Sequence, residues 1–357
     1  MTDVALIGYG VGGAAFHAPC IAVTPGLRLA AIVTGDRERG DRARRDHPGA
    51  VIVPNAEALW ARADDLGLVV VASPNRTHVP LALAALEAGL AVVVDKPLAP
   101  TAAEGRRLVE EARRRGRMLT VFQNRRWDGD FLTLRRLLAE DALGEVRRFE
   151  SRFERWRPTP RPGWRERGAA EEAGGILFDL GAHLIDQAVL LFGPPVRVYA
   201  ELLRRRPGVE VDDDVFVAME HARGVCSHLW MNAVAPLFGP RMRVLGSGAG
   251  YTKHGLDVQE EALRAGERPD RPDWGEEPRE RWGVVGVGDD VRPVRTEPGA
   301  YPRFYEGVER ALREGSAPPV DPQDAVVVLQ VIEAARRSAA EGRAATLPGP
   351  DAVAVDR

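Results

Sequence analysis

Apolar residues follow two rhythms along this chain. In the first third they form short unbroken runs: Val4-Ala5-Leu6-Ile7, Leu29 to Val33, Val51 to Val53, Leu68 to Ala72, Ala91 to Val94 and Met118 to Phe122. Helical stretches such as Thr77 to Ala88 and Ala102 to Arg115 separate them. Runs without a polar face suit parallel strands covered by helices on both sides, so an α/β domain with a doubly wound parallel sheet is predicted over residues 1–122. Right-handed crossovers then gather the C-terminal strand ends, and any ligand, on one edge.

Over residues 123–357 the rhythm becomes period two. Strands predicted near Val146 to Phe153, Val196 to Leu203, Val215 to Glu220, Val225 to Met231 and Arg241 to Leu245 alternate in character, which suits an open, mostly antiparallel sheet in an α+β domain. One face of such a sheet is left for ligand or for another subunit, so a homodimer or homotetramer is expected. The Pro- and charge-rich stretch from Ala265 to Pro302 shows little periodicity and reads as a long loop. Helices near Phe304 to Arg313 and Asp324 to Ala340 close the chain.

Candidate chemistry lies in the loops after the first-domain strands. Gly8-Tyr9-Gly10-Val11-Gly12-Gly13 joins the first strand to a helix. Gly8 permits the tight turn, Gly10 lets backbone approach a pyrophosphate, and Gly13 lets helix and strand pack closely. The N–H groups that follow, from Val11 and Gly12 on, face the phosphates. After the second strand comes Thr34-Gly35-Asp36-Arg37-Glu38-Arg39, where the adenosine ribose is read. An acid there suits a free 2′-hydroxyl, and an arginine with a hydroxyl residue suits a 2′-phosphate. Asp36 stands two or three residues past the strand end, so Thr34 and Arg37 favour NADP; NAD through Asp36 is the alternative, and Asp36 also reads as a helix cap. Ser73-Pro74-Asn75-Arg76-Thr77-His78 and Asp95-Lys96-Pro97 lie on the same edge. Asn75 and His78 read equally well as turn and helix-start residues.

Composition narrows the partners. With 49 basic and 52 acidic residues and a net charge of -3, no field draws the chain to nucleic acid or to an anionic membrane, which leaves a small molecule. The longest apolar stretches are too short to span a bilayer, and Met1-Thr2-Asp3 lacks a basic leader region. Cys20 and Cys226 lack metal-ligand spacing, which argues against a disulfide framework and a metal site and for a cytoplasmic setting. Among the basic residues only Lys96 and Lys253 are lysines. A lysine kept against such an arginine bias points to a task guanidinium cannot perform, the release of a proton. For Lys253 a structural ion pair is the favoured reading, with a substrate contact as the other.

In the second domain, Asn124-Arg125-Arg126-Trp127-Asp128 opens a helix, and a long polar loop carries Trp156-Arg157-Pro158 and Gly163-Trp164-Arg165. Asp179-Leu180-Gly181-Ala182-His183 then begins another helix, with Asp179 and His183 four apart on one face. A carboxylate beside an imidazole suits general acid or base work, and equally a structural pair.

Together these residues resemble the Gfo/Idh/MocA family of glucose-fructose, inositol and related oxidoreductases over essentially the whole chain. The general marks are Gly8 to Gly13, Asp95-Lys96-Pro97, and Asp179 with His183. More specific are Phe16-His17-Ala18-Pro19, Asn124 to Asp128, Asp179 to His183 with Ile185-Asp186-Gln187, and Lys253-His254-Gly255-Leu256-Asp257 with Gln259-Glu260. These look like the NADP-dependent scyllo-inositol dehydrogenase branch. The resemblance implies a Rossmann domain followed by an α+β domain with an open sheet. It implies interconversion of a secondary alcohol and a ketone on a polyol or sugar, inositol-like by preference, with Lys96, Asp179 and His183 catalytic. Candidate cofactor contacts extend to Asn124, Trp164 and Arg165, and candidate substrate contacts to Arg126, Trp127 and Trp156. In this reading the Lys96 amine and the His183 imidazole meet at the nicotinamide ring. The sequence departs from the pattern at Asp95, where the family usually has Glu. It departs again at Gly35-Asp36, where the inositol-type enzyme tends to have Ser-Arg, and at Trp156, where the branch tends to have Tyr. Two other readings stay open: a redox-assisted NAD-dependent glycosidase and a non-catalytic dinucleotide-sensing protein.

Overall fold

The unbroken apolar runs become parallel strands in the computed structural model, which describes residues 1–160, 166 and 172–347. These are β1 (Thr2–Ile7), β2 (Leu27–Val33), β3 (Val51–Val53), β4 (Leu68–Val71), β5 (Ala91–Asp95) and β6 (Leu119–Phe122). They pair in the order β3-β2-β1-β4-β5-β6. β1 pairs in parallel with both β2 and β4, so strand order reverses there. At such a switch point the loops leaving the strands splay apart and open a crevice for a ligand.

Around this sheet the chain forms a unit of Met1–Trp127, Val258–Gly275 and Ala300–Val326. The two later pieces lie beyond the expected boundary at 122/123. The second returns because Phe304, Tyr305 and Val308 lie buried on the helix Pro302–Glu314 and, with Tyr301 just before it, complete a core with Leu6, Ile21, Val93 and Phe122, and the first adds Leu263 to the same core. Thr120 Oγ1 also donates to the Val320 carbonyl at 2.7 Å.

The second unit comprises Asp128–Asp257, Glu276–Gly299 and Val327–Arg357. Its sheet contains β7 (Val146–Glu154), β8 (Pro195–Leu203), β9 (Asp214–His221), β10 (Cys226–Asn232), β11 (Met242–Gly246), β12 (Gly250–Lys253), β13 (Gly283–Val287), β14 (Asp290–Val294) and β15 (Ala345–Thr346). Among the described residues the order is β14-β13-β12-β11-β7-β10-β9-β8-β15, antiparallel throughout except where β7 meets β10. Period-two alternation puts Val215, Val217, Met219, Leu229 and Met231 in the core. The intervening Phe216, His228 and Trp230 lie on the other face, where the Arg152 guanidinium sits 3.9 Å from the Trp230 ring centroid. Such a contact is worth ~0.5–1 kcal/mol at an exposed site.

The expected loop from Ala265 to Pro302 is corrected here, because it contains the β13–β14 hairpin. Its strands hide from a count of alternation. Gly286 has no side chain, since a Cβ there would stand 2.0 Å from the Asp290 carbonyl oxygen. Pro293 is tolerated because β14 is the outermost strand, where a missing N–H breaks no ladder. Among the described residues no helix is long and apolar enough to cross a membrane, and both cysteines are free thiols.

Candidate active site

In the first unit the glycine turn is shaped by close backbone approach. Gly8 has φ +100°, and a Cβ on it would lie 2.6 Å from the Ala72 carbonyl oxygen. A Cβ on Gly13 would lie 2.0 Å from the Gly8 carbonyl oxygen. Gly10 differs: the nearest atom to its ideal Cβ is Arg39 Nη1, 3.9 Å away. The turn is therefore packed on its inner side and open at Gly10, the shape a pyrophosphate needs. The helix that follows starts as a wide π-turn, Gly12–His17, and continues as the α-helix Ala18–Val23.

After β2, Asp36 is the helix cap. Its Oδ1 accepts from Arg39 N at 2.9 Å and so starts the helix Arg37–Asp46, while Asp36 N donates to Thr34 Oγ1 at 3.3 Å. Tyr9 Oη donates to Asp46 Oδ2 at 2.9 Å and ties the far end of that helix to the glycine turn. Arg37 is exposed at the first helical position, and Arg39 reaches back over Gly10. Arg39 ends the stretch read from sequence as facing the ribose, where Thr34 and Arg37 carry the expected 2′-phosphate contact. Which arginine of Arg37-Glu38-Arg39 faces the turn follows from the position of the cap, and sequence leaves that choice open.

The other two loops are joined by His78. Its Nδ1 lies 2.8 Å from the Pro97 carbonyl oxygen and its Nε2 lies 2.9 Å from that of Ser73. A neutral ring donates to one of the two at a time. Burial lowers the pKa of this imidazole and outweighs the opposing pull of Asp95 and both carbonyls. His78 is a candidate cofactor contact, and its ring nitrogens brace the Ser73 loop against the Lys96-Pro97 loop, where the peptide bond is cis. Ser73 Oγ is 2.6 Å from Thr77 Oγ1, and Thr77 Oγ1 donates to the Pro74 carbonyl. Asn75 is buried at the start of this turn and Val11 is exposed beside Gly12.

Lys96 follows β5 on the same edge and is half-buried. Its backbone N–H donates to Asp95 Oδ1 at 2.8 Å. Burial pushes the Asp95 carboxyl up, but His17, Lys96 and His78 together outweigh it and hold the group below the usual carboxylate range. Asn124 is buried in the turn Asn124–Trp127. Arg126 and Trp127, expected at the substrate, also take part in the packing of this unit. Arg126 Nη2 donates to Asp324 Oδ2 at 2.9 Å, and Arg125 Nη2 to Glu260 Oε2 at 2.5 Å. The Trp127 ring meets Phe304 edge-on with centroids 5.8 Å apart, and its carbonyl accepts from Gln259 and Ala300.

In the second unit the regular helix expected around Asp179 is interrupted. Leu177–Gly181 is a π-turn containing Asp179, and the α-helix Ala182–Phe192 then carries His183 in its first turn. Such widened turns recur at functional sites because they redirect side chains. Asp212 anchors the start: its Oδ2 accepts from Leu177 N at 2.7 Å and its carbonyl from Ile176 N at 2.9 Å. Gly175, at φ +95°, is required there, because a Cβ would stand 2.4 Å from Asp212 Oδ1. His183 is buried and Asp179 half-buried. One turn after His183, fully buried Gln187 accepts from Arg241 Nη2 at 3.0 Å. Trp156 is exposed beyond β7, bridged to Val234. Trp164 and Arg165 lie outside the described residues. Lys253 is a structural cation: buried Nζ donates to the His254 carbonyl at 2.6 Å and to buried Glu277 at 3.2 Å. Among the described residues no group of His, Cys, Asp and Glu is arranged to hold a metal.

Two family models match the chain: the oxidoreductase family with an NAD-binding Rossmann fold over residues 2–123, and the GFO/IDH/MocA C-terminal domain over residues 131–252. The chain belongs to the Gfo/Idh/MocA family. It is an oxidoreductase with an NAD-binding Rossmann domain. It is similar to the uncharacterized oxidoreductase YdgJ of Escherichia coli, at 43% identity over 94% of this chain and 96% of that protein. To scyllo-inositol 2-dehydrogenase (NADP(+)) IolW of Bacillus subtilis it is 33% identical, over 95% and 94% respectively. The solved structure of yvaA from Bacillus subtilis superposes with a TM-score of 0.91 at 32% identity, covering 98% of this chain and 100% of that one. The Gfo/Idh/MocA assignment thus spans both units.

Proposed function

We propose that this protein oxidises a secondary hydroxyl of an inositol-like polyol to the ketone, with NADP as the preferred acceptor and NAD as the weaker one. The observation that carries the reading is Lys96, one of two lysines in the chain, held at the C-terminal end of β5 on the edge that bears the open glycine turn. Similarity to IolW supports the substrate class. In this reading His183 takes the hydroxyl proton as general base. Lys96 hydrogen-bonds the same oxygen and stabilises the negative charge that develops there. Asp179 orients the imidazole. When bound, the nicotinamide supplies the acceptor for the hydride released as the C–H bond breaks.

Arg39 over Gly10, with the Asp36 carboxylate engaged as a cap, supports a 2′-phosphate at the ribose. Replacing Arg39 by glutamine is expected to weaken NADPH binding by about 10- to 100-fold, the worth of a charge-assisted hydrogen bond, and to leave NADH within about twofold. Fluorescence titration of both reduced cofactors checks this; equal losses for the two would remove Arg39 from the phosphate site. We also propose a homodimer or homotetramer assembled through the sheet face bearing Phe216, His228 and Trp230, to be checked by light scattering.

Incubation of the purified protein with each oxidised cofactor and a panel of inositols and sugars tests the main reading. Reduced nicotinamide is expected with NADP and an inositol. Free sugar released from an aryl glycoside without net reduction would replace the reading with the glycosidase one, and tight cofactor binding without turnover with the sensor.

A further inference from the structure

His17 has no role in the reaction as proposed, yet it lies close to its centre. It ends the π-turn after the glycines and is fully buried, its ring tilted over Phe122 with centroids 4.2 Å apart. Nδ1 is 2.6 Å from the hydroxyl of Tyr305, a residue 288 positions away on the helix Pro302–Glu314. That hydroxyl is buried and keeps its proton, because burial, with Cys20 and Asp95 nearby, raises its pKa well above the usual value. Tyr305 and Nδ1 share this hydrogen bond, which leaves Nε2 as the ring's other polar atom. Nε2 is buried without a hydrogen-bond partner, and it faces Asp95 Oδ2 at 3.8 Å.

Asp95 is thus held from three sides. Oδ1 accepts from the Lys96 backbone, Oδ2 faces the imidazole, and the same oxygen would lie 2.9 Å from a Cβ on Gly12, so only glycine leaves it room. Aspartate suits this arrangement because its short side chain can bond the next backbone N–H while its other oxygen rests on the glycine turn. We propose that Tyr305 and His17 form a buried positioning pair that fixes the Asp95 carboxylate and, through it, the main chain from which the Lys96 amine projects. The pair acts through Asp95, and its importance for turnover rests on the role proposed for Lys96.

The two-lysine composition allows a test independent of turnover. In the full-length protein the acylation rate of Lys96 by acetic anhydride is read by mass spectrometry, with buried Lys253 as the internal reference. Tyr305→Phe and His17→Leu are expected to raise the Lys96 rate by about threefold or more as the loop loosens, and to lower kcat by about tenfold with KM within about twofold. His17→Gln, which keeps an N–H donor, is expected to restore both toward the parent. Thr120→Val loses a hydrogen bond in the same unit away from this loop and should leave Lys96 labelling unchanged. Unaltered Lys96 labelling in folded Tyr305→Phe and His17→Leu would overturn the pair, as would a rate increase matched by Thr120→Val. Full turnover in Lys96→Met would instead remove the proposed role of Lys96, with the labelling result still deciding the positioning claim.

Discussion

Lys96→Arg is expected to lower turnover by about 10²–10⁴-fold, the usual contribution of a positioned acid or base, while the NADPH dissociation constant stays within about threefold. Arginine keeps the positive charge and much of the length of lysine, so it preserves any long-range attraction to phosphate. It cannot give up a proton under ordinary conditions, and its planar fork does not match the single donor direction of an amine. A group that only neutralised the cofactor would therefore tolerate the change, and one that must share a proton with the substrate oxygen would not. Steady-state rates with the best polyol and fluorescence titration of NADPH separate the two. Near-parental kcat in this variant would remove proton sharing from the mechanism and leave a purely electrostatic lysine.

Arg241→Met is expected to destabilise the second unit by about 3–5 kcal/mol, because it strips the partner from a buried charge. Arg241 is 3% exposed and Asp130 1% exposed, with Nε 3.1 Å from Oδ2. The same guanidinium donates to Ser151 Oγ at 2.5 Å and to Gln187 at 3.0 Å. Losing it leaves a carboxylate without its counter-charge in the interior and a glutamine carbonyl without its donor. Urea denaturation followed by fluorescence reads the loss. Removing both charges, as Arg241→Met with Asp130→Leu, is expected to recover a large part of it, since an apolar replacement of a whole buried pair costs little. Failure of the double variant to recover would mean that Ser151 and Gln187, rather than the ion pair, hold the energy. Gln187 follows His183 by one helical turn, so turnover in the folded fraction of the single variant is expected to fall as well.

Much of the first unit was legible because its signals are local. A glycine turn directly after an apolar run, and loops ending in Lys96 and in Ser73, need only a few consecutive residues to be recognised, and each stands at the end of its strand. Asp36 was legible as a cap for the same reason, since its partner is three residues away. What was not legible depends on partners outside the local motif or on strands without alternation. The bracing role of His78 was not legible because one of its acceptors, the Pro97 carbonyl, lies outside its own motif. The packing of Arg126 and Trp127 was not legible because Asp324, Gln259 and Ala300 lie far along the chain. The π-turn at Leu177–Gly181 was invisible because it is set by Asp212, and the β13–β14 hairpin because one strand carries two glycines and the other a proline.

By itself, the sequence determined the parallel sheet, the period-two sheet, the glycine turn and the residues able to carry chemistry, since backbone geometry and side-chain type follow from short-range sterics and periodicity. Only the tertiary structure decided which of those residues are spent on the protein itself, which arginine overlooks the turn, and that His17 and Tyr305 face each other beside Asp95. The physical reason is that a polar group's role follows from its partner, and several deciding partners, such as Tyr305 for His17 and Asp324 for Arg126, stand far away in the chain.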